Sequence, residues 1–325
     1  MKIAVVIPCY KVGNQIDGVL AAVPGFIGTI YVVDDACPEQ SGIKAAAKST
    51  DQRVQLLQRP INGGVGAAVV TGYQRALEDQ IDVVVKLDGD GQMDPALIPE
   101  LIDPLLRCKA DYVKGNRFYN VHTLQQMPMV RLIGNSALSF INKAVNGYWN
   151  IMDPTNGFTA IHRTALKKLP LDQIDPRYFF ESDMLFRLGI IRAVVRDMPM
   201  DATYGDEKSN LRISRVLFEF PPKYLKRFLK RMFYNYLLRD FNVASVQWLV
   251  GIPAFLFGVV FGLYRWAESI ETDRVNSVGT VMLAALPIII GFQLILQALH
   301  FDVLNIPSEP LNQPGFDVRN TDNPS

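Results

Sequence analysis

The chain has 325 residues, 49% of them hydrophobic, and a formal net charge of +1. That length fits one large α/β domain with a smaller companion, or two average domains, and the near-neutral charge excludes the global basic field that nucleic acid demands. The three cysteines, Cys9, Cys37 and Cys108, show no metal-like spacing, which argues against a zinc site and suits reduced thiols in a cytosolic compartment.

The apolar run after Lys2 is too short for a signal-peptide core and reads as a buried strand, so the first domain is expected not to cross a membrane. From there to about residue 120, short β-branched runs alternate with helical stretches, the pattern of a mostly parallel sheet covered on both faces. Strands are predicted at Ile3–Ile7, Thr29–Val33, Val54–Gln58, Val83–Leu87 and Tyr112–Lys114, each ending where glycine or polar residues begin. Ligands of such sheets bind beyond the carboxyl ends of the strands. Residues 121–220 are less regular, with helices predicted near 130–145, 163–169 and 181–188 around a loop at 153–158.

After Pro221 and Pro222, Lys223, Lys226, Arg227, Lys230, Arg231 and Arg239 interleave with Tyr224, Phe228, Leu229, Phe233, Tyr236 and Leu237. This is the pattern of basic amphipathic helices at a membrane surface. Val243–Tyr264 and Val275–His300 carry no charge and are long enough to cross ~30 Å of hydrocarbon. The short connection between them holds Glu268, Glu271 and Asp273, so the positive-inside rule places the large domain and the C-terminal tail in the cytoplasm. The expected division is therefore 1–220 as the α/β domain, 221–242 as juxtamembrane helices, 243–301 as two transmembrane helices, and 302–325 as a loosely ordered tail with Pro307, Pro310 and Pro314.

The strongest chemical feature is the fourth strand running into Asp88, Gly89, Asp90, Gly91 and Gln92. Two carboxylates one residue apart offer hard oxygens to Mg2+ or Mn2+, an ion suited to neutralising a departing diphosphate. Pro8, Cys9 and Tyr10 follow the first strand, and Asp34 and Asp35 follow the second. An aromatic ring and a carboxylate there suit a nucleoside, the ring stacking on a base and the acid accepting hydrogen bonds from uracil or ribose. The loop Arg59–Gly66 opens a helix and either cradles phosphate or uses its glycines for tight packing; without a P-loop lysine it is a poor match to an NTPase. His122, His162 and His300 are scattered and support no triad.

Taken together, these segments resemble a family 2 glycosyltransferase of the GT-A fold, of the polyprenyl-phosphate type related to dolichol-phosphate mannose synthase. The resemblance rests on Val-Ile-Pro-Cys-Tyr at 6–10, Val-Val-Asp-Asp-Ala at 32–36, Asn62–Gly66, Asp88–Gln92, Gly115–Arg117, Asp153–Phe158 and Phe180–Asp183, all in family order. It implies that Pro8, Tyr10, Asp35 and Gly64 contact the nucleotide and that Asp88, Asp90 and Gln92 form the metal and diphosphate site. It further implies that Arg117 and Arg131 hold a lipid phosphate, with Lys208 close to the phosphates. Asp153, Glu181 and Asp183 are the remaining candidates: an acid near 181–183 deprotonates hydroxyl acceptors in some members and here is expected to bind the sugar.

The implied reaction is an inverting transfer from a nucleotide sugar, UDP-linked rather than GDP-linked, to polyprenyl phosphate by a membrane-anchored homo-oligomer, a tetramer in anchored relatives. An enzyme extending a polysaccharide or glycolipid through a hydroxyl acceptor is the alternative, although the Gln-x-x-Arg-Trp motif usual in such enzymes is absent from the sequence. A tethered nucleotide-binding scaffold with a dead site is a third reading, and Asp88 and Asp90 argue against it.

Overall fold

The computed structural model describes residues 1–13, 15–119, 129–201 and 213–313, with backbone only at 130–133, 135 and 213–217. Seven strands form one sheet in the order β3-β2-β1-β4-β6-β5-β7. They are β1 (Ile3–Cys9), β2 (Thr29–Asp34), β3 (Val54–Gln58), β4 (Val83–Lys86), β5 (Tyr112–Asn116), β6 (Thr159–His162) and β7 (Val195–Pro199). All neighbouring pairs are parallel except those of β6, which lies antiparallel between β4 and β5. The five strands predicted from sequence are all present, and β6 and β7 are additional. Their sequences explain the omission: β6 is four residues of mixed polarity, Thr-Ala-Ile-His, and Arg196 and Asp197 interrupt the apolar pattern of β7.

Helices α1 (Ile16–Ala22), α2 (Ser41–Lys48), α3 (Val65–Glu78) and α4 (Ile98–Leu106) cover the parallel half. The buried face of α3 is built from small residues, among them Gly66, Ala68 and Gly72. A Cβ on Gly72 would run into the side chain of Val6 in β1, so this glycine lets the helix lie close on the sheet. Beyond β5 come α5 (Met129–Asn146), α6 (Arg163–Lys168), α7 (Phe180–Ile190) and α8 (Ile213–Met232). Phe179 sits edge-on to Phe220 and Tyr224, with ring centroids 5.2 and 4.9 Å away, and the Tyr224 hydroxyl meets Asn142 and Ser182.

The chain divides into two compact units, one of residues 1–228 with the segment from Pro307 onward, the other Leu229–Ile306. Two sequence expectations are corrected here. Pro221 and Pro222 do not begin a new segment, because α8 runs through them; their fixed φ is helical, although each gives up an amide hydrogen bond and crowds the carbonyl of the preceding turn. The tail is not loose at its start: the backbone N–H groups of Leu311 and Asn312 donate to Asp111 at 3.0 and 3.1 Å, and Asn312 Nδ2 donates to the carbonyls of Leu105 and Ala110.

The second unit holds a π-helical turn (Phe233–Arg239) and two long helices, α9 (Val243–Thr272) and α10 (Val278–Leu304). Asn242 and Ser245 form a capping box at the start of α9, satisfying N–H groups that would otherwise lack partners. Gly251, Gly258 and Gly291 let the two backbones approach closely: a Cβ on Gly258 would lie 2.7 Å from the Ala284 carbonyl, and one on Gly291 would lie 2.8 Å from that of Gly251. Small residues at the seam are how helices pack where no hydrophobic gain separates them from lipid. Both helices are long and apolar enough to cross a membrane, and their most apolar windows are only 11% and 6% buried, unlike core helices. Near the ends of the pair, Arg231 binds Asp302 through two nitrogens at 2.7 and 3.0 Å, and Tyr236 donates to the same carboxylate.

Candidate active site

At the carboxyl ends of β1, β2 and β4 lies a cleft of about 410 Å³, lined by Pro8, Tyr10, Asp35, Gly64, Asp88 and Asp90 among others. Six residues singled out from sequence therefore share one cavity, where an open α/β sheet is expected to bind its ligand. Tyr10 is 44% exposed, with the Lys11 ammonium 5.6 Å from its ring centroid.

Asp35 occupies a more structural position than the sequence suggested. Its carboxylate accepts from the backbone N–H of Gly63 at 3.0 Å, that of Gly64 at 2.7 Å, and Arg59 Nε at 2.9 Å. It thus shapes the glycine loop as well as lining the cleft. The glycines of that loop are tightly packed, while Gly64 also lines the cleft. Gly64 has φ +97°, its Cβ would lie 2.8 Å from the Pro176 carbonyl, and one on Gly66 would collide with Asp175 and Phe180. The loop is pressed against residues 175–180, of which Arg177 and Tyr178 line the cleft; neither was apparent from sequence.

Asp88 and Asp90 leave β4 together. Asp90 Oδ1 accepts the backbone N–H of Gln92 at 3.0 Å, so Gln92 contributes its main chain to that carboxylate. Asp88 Oδ1 is buried and forms an ion pair with Lys86 Nζ at 2.8 Å. Lys86 is buried and also donates to the Gly157 carbonyl at 3.2 Å and to Glu181 Oε1 at 3.3 Å. Burial alone would lower its pKa, but the charges of Asp88 and Glu181 hold it above the ordinary lysine value. Lys86 was missed from sequence, yet a signal existed: a lysine in an apolar strand, two residues before Asp88, shares that residue's side of the chain.

On the other side of β6, Arg117 is clasped by buried Asp153, with Nε to Oδ2 at 2.7 Å and Nη2 to Oδ1 at 3.1 Å. Asp153 is thus the residue that orients Arg117. Lys114, directly below in β5, donates to the Asn156 carbonyl; burial lowers its pKa to about 8 against the opposing charges of Glu181 and Asp153. Asp183 is fully buried, and its carboxylate takes Arg187 Nε at 3.0 Å, Arg227 Nε at 2.5 Å and the Asp175 N–H at 2.9 Å. It has no surface to offer a sugar. Arg131 falls in α5, where the backbone alone is described, and Lys208 lies outside the described residues.

The donor set fits a hard divalent cation of the kind that binds through ligand phosphates. Among the described residues no group of three or more His, Cys, Asp or Glu could hold a metal alone, but Mg2+ is commonly bound by one or two carboxylates completed by substrate phosphates. Asp88 and Asp90, both lining the cleft, would supply that part.

Comparison with known proteins places this geometry. An undecaprenyl-phosphate mannosyltransferase of Micrococcus luteus is 30% identical over 206 residues, covering 62% of this chain and 83% of the relative. A UDP-N-acetylglucosamine–dolichyl-phosphate N-acetylglucosaminyltransferase of Methanococcus voltae is 32% identical over 178 residues, covering 55% of this chain and 70% of the relative. Among solved structures, glucosyl-3-phosphoglycerate synthase from Mycobacterium tuberculosis, in complex with Mn2+, UDP and phosphoglyceric acid, aligns with a TM-score of 0.53 at 19% identity over 71% of this chain and 78% of that one. That likeness shows the fold, which is of the GT-A type. The model of the family described as Glycosyl transferase family 2 matches residues 4–170, from β1 through α6, and the chain belongs to that family.

Proposed function

We propose that the protein transfers a monosaccharide, with inversion, from a UDP-linked donor to a polyprenyl phosphate at the cytoplasmic face of a membrane. The observation that carries this reading is the cleft that joins Tyr10 and Asp35 to Asp88 and Asp90, in a chain whose relatives are transferases acting on undecaprenyl and dolichyl phosphates. Asp88 and Asp90 would hold a divalent ion against the donor diphosphate. When bound, that ion supplies positive charge to the departing diphosphate.

The chain's own residues do the rest. Tyr10 offers a ring for the base, and the loop shaped by Asp35 closes the nucleoside end. Asp153 fixes the plane of the Arg117 guanidinium, whose fork suits a phosphate better than an ammonium does. A phosphate monoester has a second pKa near ~6, so the acceptor is largely dianionic at neutral pH and needs no general base. Glu181, paired with Lys86, is then free of proton abstraction and would bind the sugar.

Membrane anchoring by α9 and α10 belongs to the same proposal. Lys226 and Lys230 are exposed on α8, and the last turns of α9 with the residue after it carry Glu268, Glu271 and Asp273, the asymmetry of a hairpin that turns outside. Support for a two-span return comes from Leu311 and Asn312, whose hydrogen bonds to Asp111 bring the chain after α10 back to the catalytic domain.

The donor is tested by thermal denaturation. UDP with Mn2+ is expected to raise the melting midpoint more than either does alone and more than GDP with Mn2+, since a ligand at 100 times its Kd stabilises by about 2.7 kcal/mol. EDTA should remove the gain. Equal stabilisation by GDP would overturn the choice of base, and none by any nucleotide would sink the reading.

A further inference from the structure

The chemistry above gives Lys86 no direct contact with a substrate, yet its surroundings are unusually specific. Its ammonium has three protons, and three acceptors from three segments lie around it: Asp88 Oδ1 at 2.8 Å, Glu181 Oε1 at 3.3 Å and the Gly157 carbonyl at 3.2 Å. A Cβ on Gly157 would fall 2.5 Å from Lys86 Nζ and 2.6 Å from Asp88 Oδ2, so a side chain at 157 would push the pair out of this arrangement. Lys86 is 1% exposed and cannot swing into solvent when the site fills.

We propose that Lys86 is a positioning residue that holds Asp88 by one oxygen, so that the site takes a divalent cation firmly only together with an anionic diphosphate, and that Glu181 tunes this hold by sharing the ammonium. The proposal rests on the assignment of Asp88 and Asp90 to the ion. Asp88, Asp90 and Glu181 with the Lys86 ammonium carry a formal net charge of −2, where the three carboxylates without it would carry −3. A fixed positive charge in contact with a ligating carboxylate repels an incoming cation, and more strongly in a buried site than in water. The diphosphate restores the missing negative charge, so ion and nucleotide bind together and leave together. Lys86 also ties Asp88 to Glu181 and to the 153–157 loop, joining the donor carboxylate to the segment that holds Arg117.

The test is Mn2+ binding to the purified full-length protein, by calorimetry, with and without UDP, alongside thermal melts. In the wild type Mn2+ alone should bind weakly and UDP should tighten it. Lys86→Met is expected to tighten binding of Mn2+ alone by about tenfold or more and to shrink the gain from UDP, whereas Lys86→Arg should behave like the wild type. Glu181→Gln, which leaves the ammonium to Asp88, should weaken Mn2+ binding, and the same change made on Lys86→Met should have little effect.

A merely structural lysine would not give these opposite signs. Unchanged or weaker Mn2+ binding in a folded Lys86→Met protein overturns the proposal. Should that variant lose its thermal transition, Glu181→Gln decides: weaker Mn2+ binding supports the proposal and unchanged binding overturns it. A wild type whose Mn2+ binding UDP fails to tighten would instead overturn the metal assignment beneath both.

Discussion

Asp90→Ala is expected to lower sugar transfer by about a thousandfold, on the scale of removing one preorganised charge-stabilising group, while the protein keeps its fold. Asp90 lines the cleft, and its Oδ1 accepts a hydrogen bond from the neighbouring Gln92 N–H, a local bond worth about 1 kcal/mol. Initial rates measured beside a circular-dichroism melt separate the two effects. The melting midpoint should fall by only a few degrees, since a shift of that size corresponds to about 1 kcal/mol in a chain of this length. Near-normal turnover in the folded variant would remove Asp90 from the ion site.

Asp183→Ala is expected to fail for the opposite reason. Its carboxylate is completely buried and takes Arg187, Arg227 and the Asp175 N–H. Removing one partner of a buried ion pair costs about 3–5 kcal/mol because the other charges stay behind unpaired, a large share of a typical domain's stability. The damage should spread locally. Asp175 also takes Lys223 at 2.6 Å and the Arg177 N–H at 3.1 Å, and Arg177 and Tyr178 wall the donor cleft. Urea denaturation should show a lower midpoint with an unchanged slope. A variant as stable as the wild type but without activity would return Asp183 to the chemistry.

The contrast between these two aspartates shows what sequence can and cannot reveal. Asp90 was legible because its neighbours in the chain define it: a strand, a glycine on each side and a second acid two residues earlier. Asp183 sits in a segment that resembles a family motif, yet its decisive partner, Arg227, is 44 residues away. The pairing of Asp111 with Leu311 spans 200 residues and leaves no local trace, which is why the segment after α10 read as loose. Asp35 lines the cleft, but the loop N–H groups that occupy it depend on backbone direction at Gly63 and Gly64, which composition does not encode. β1, β2 and β4 were plain because strands buried on both faces read as β-branched runs. β6 gave no such run, and so the antiparallel strand between β4 and β5 was hidden, although it carries the Gly157 approach on which Lys86 and Asp88 depend.

The most direct measurement is product formation itself. The purified protein in detergent is incubated with undecaprenyl phosphate and a panel of labelled nucleotide sugars, with Mn2+ or Mg2+ and again with EDTA. The expected result is a labelled lipid-linked monosaccharide from a UDP-linked donor, lost on chelation and lost in Asp90→Ala. Absence of lipid-linked product from every donor, or product formed equally well in EDTA, would contradict it.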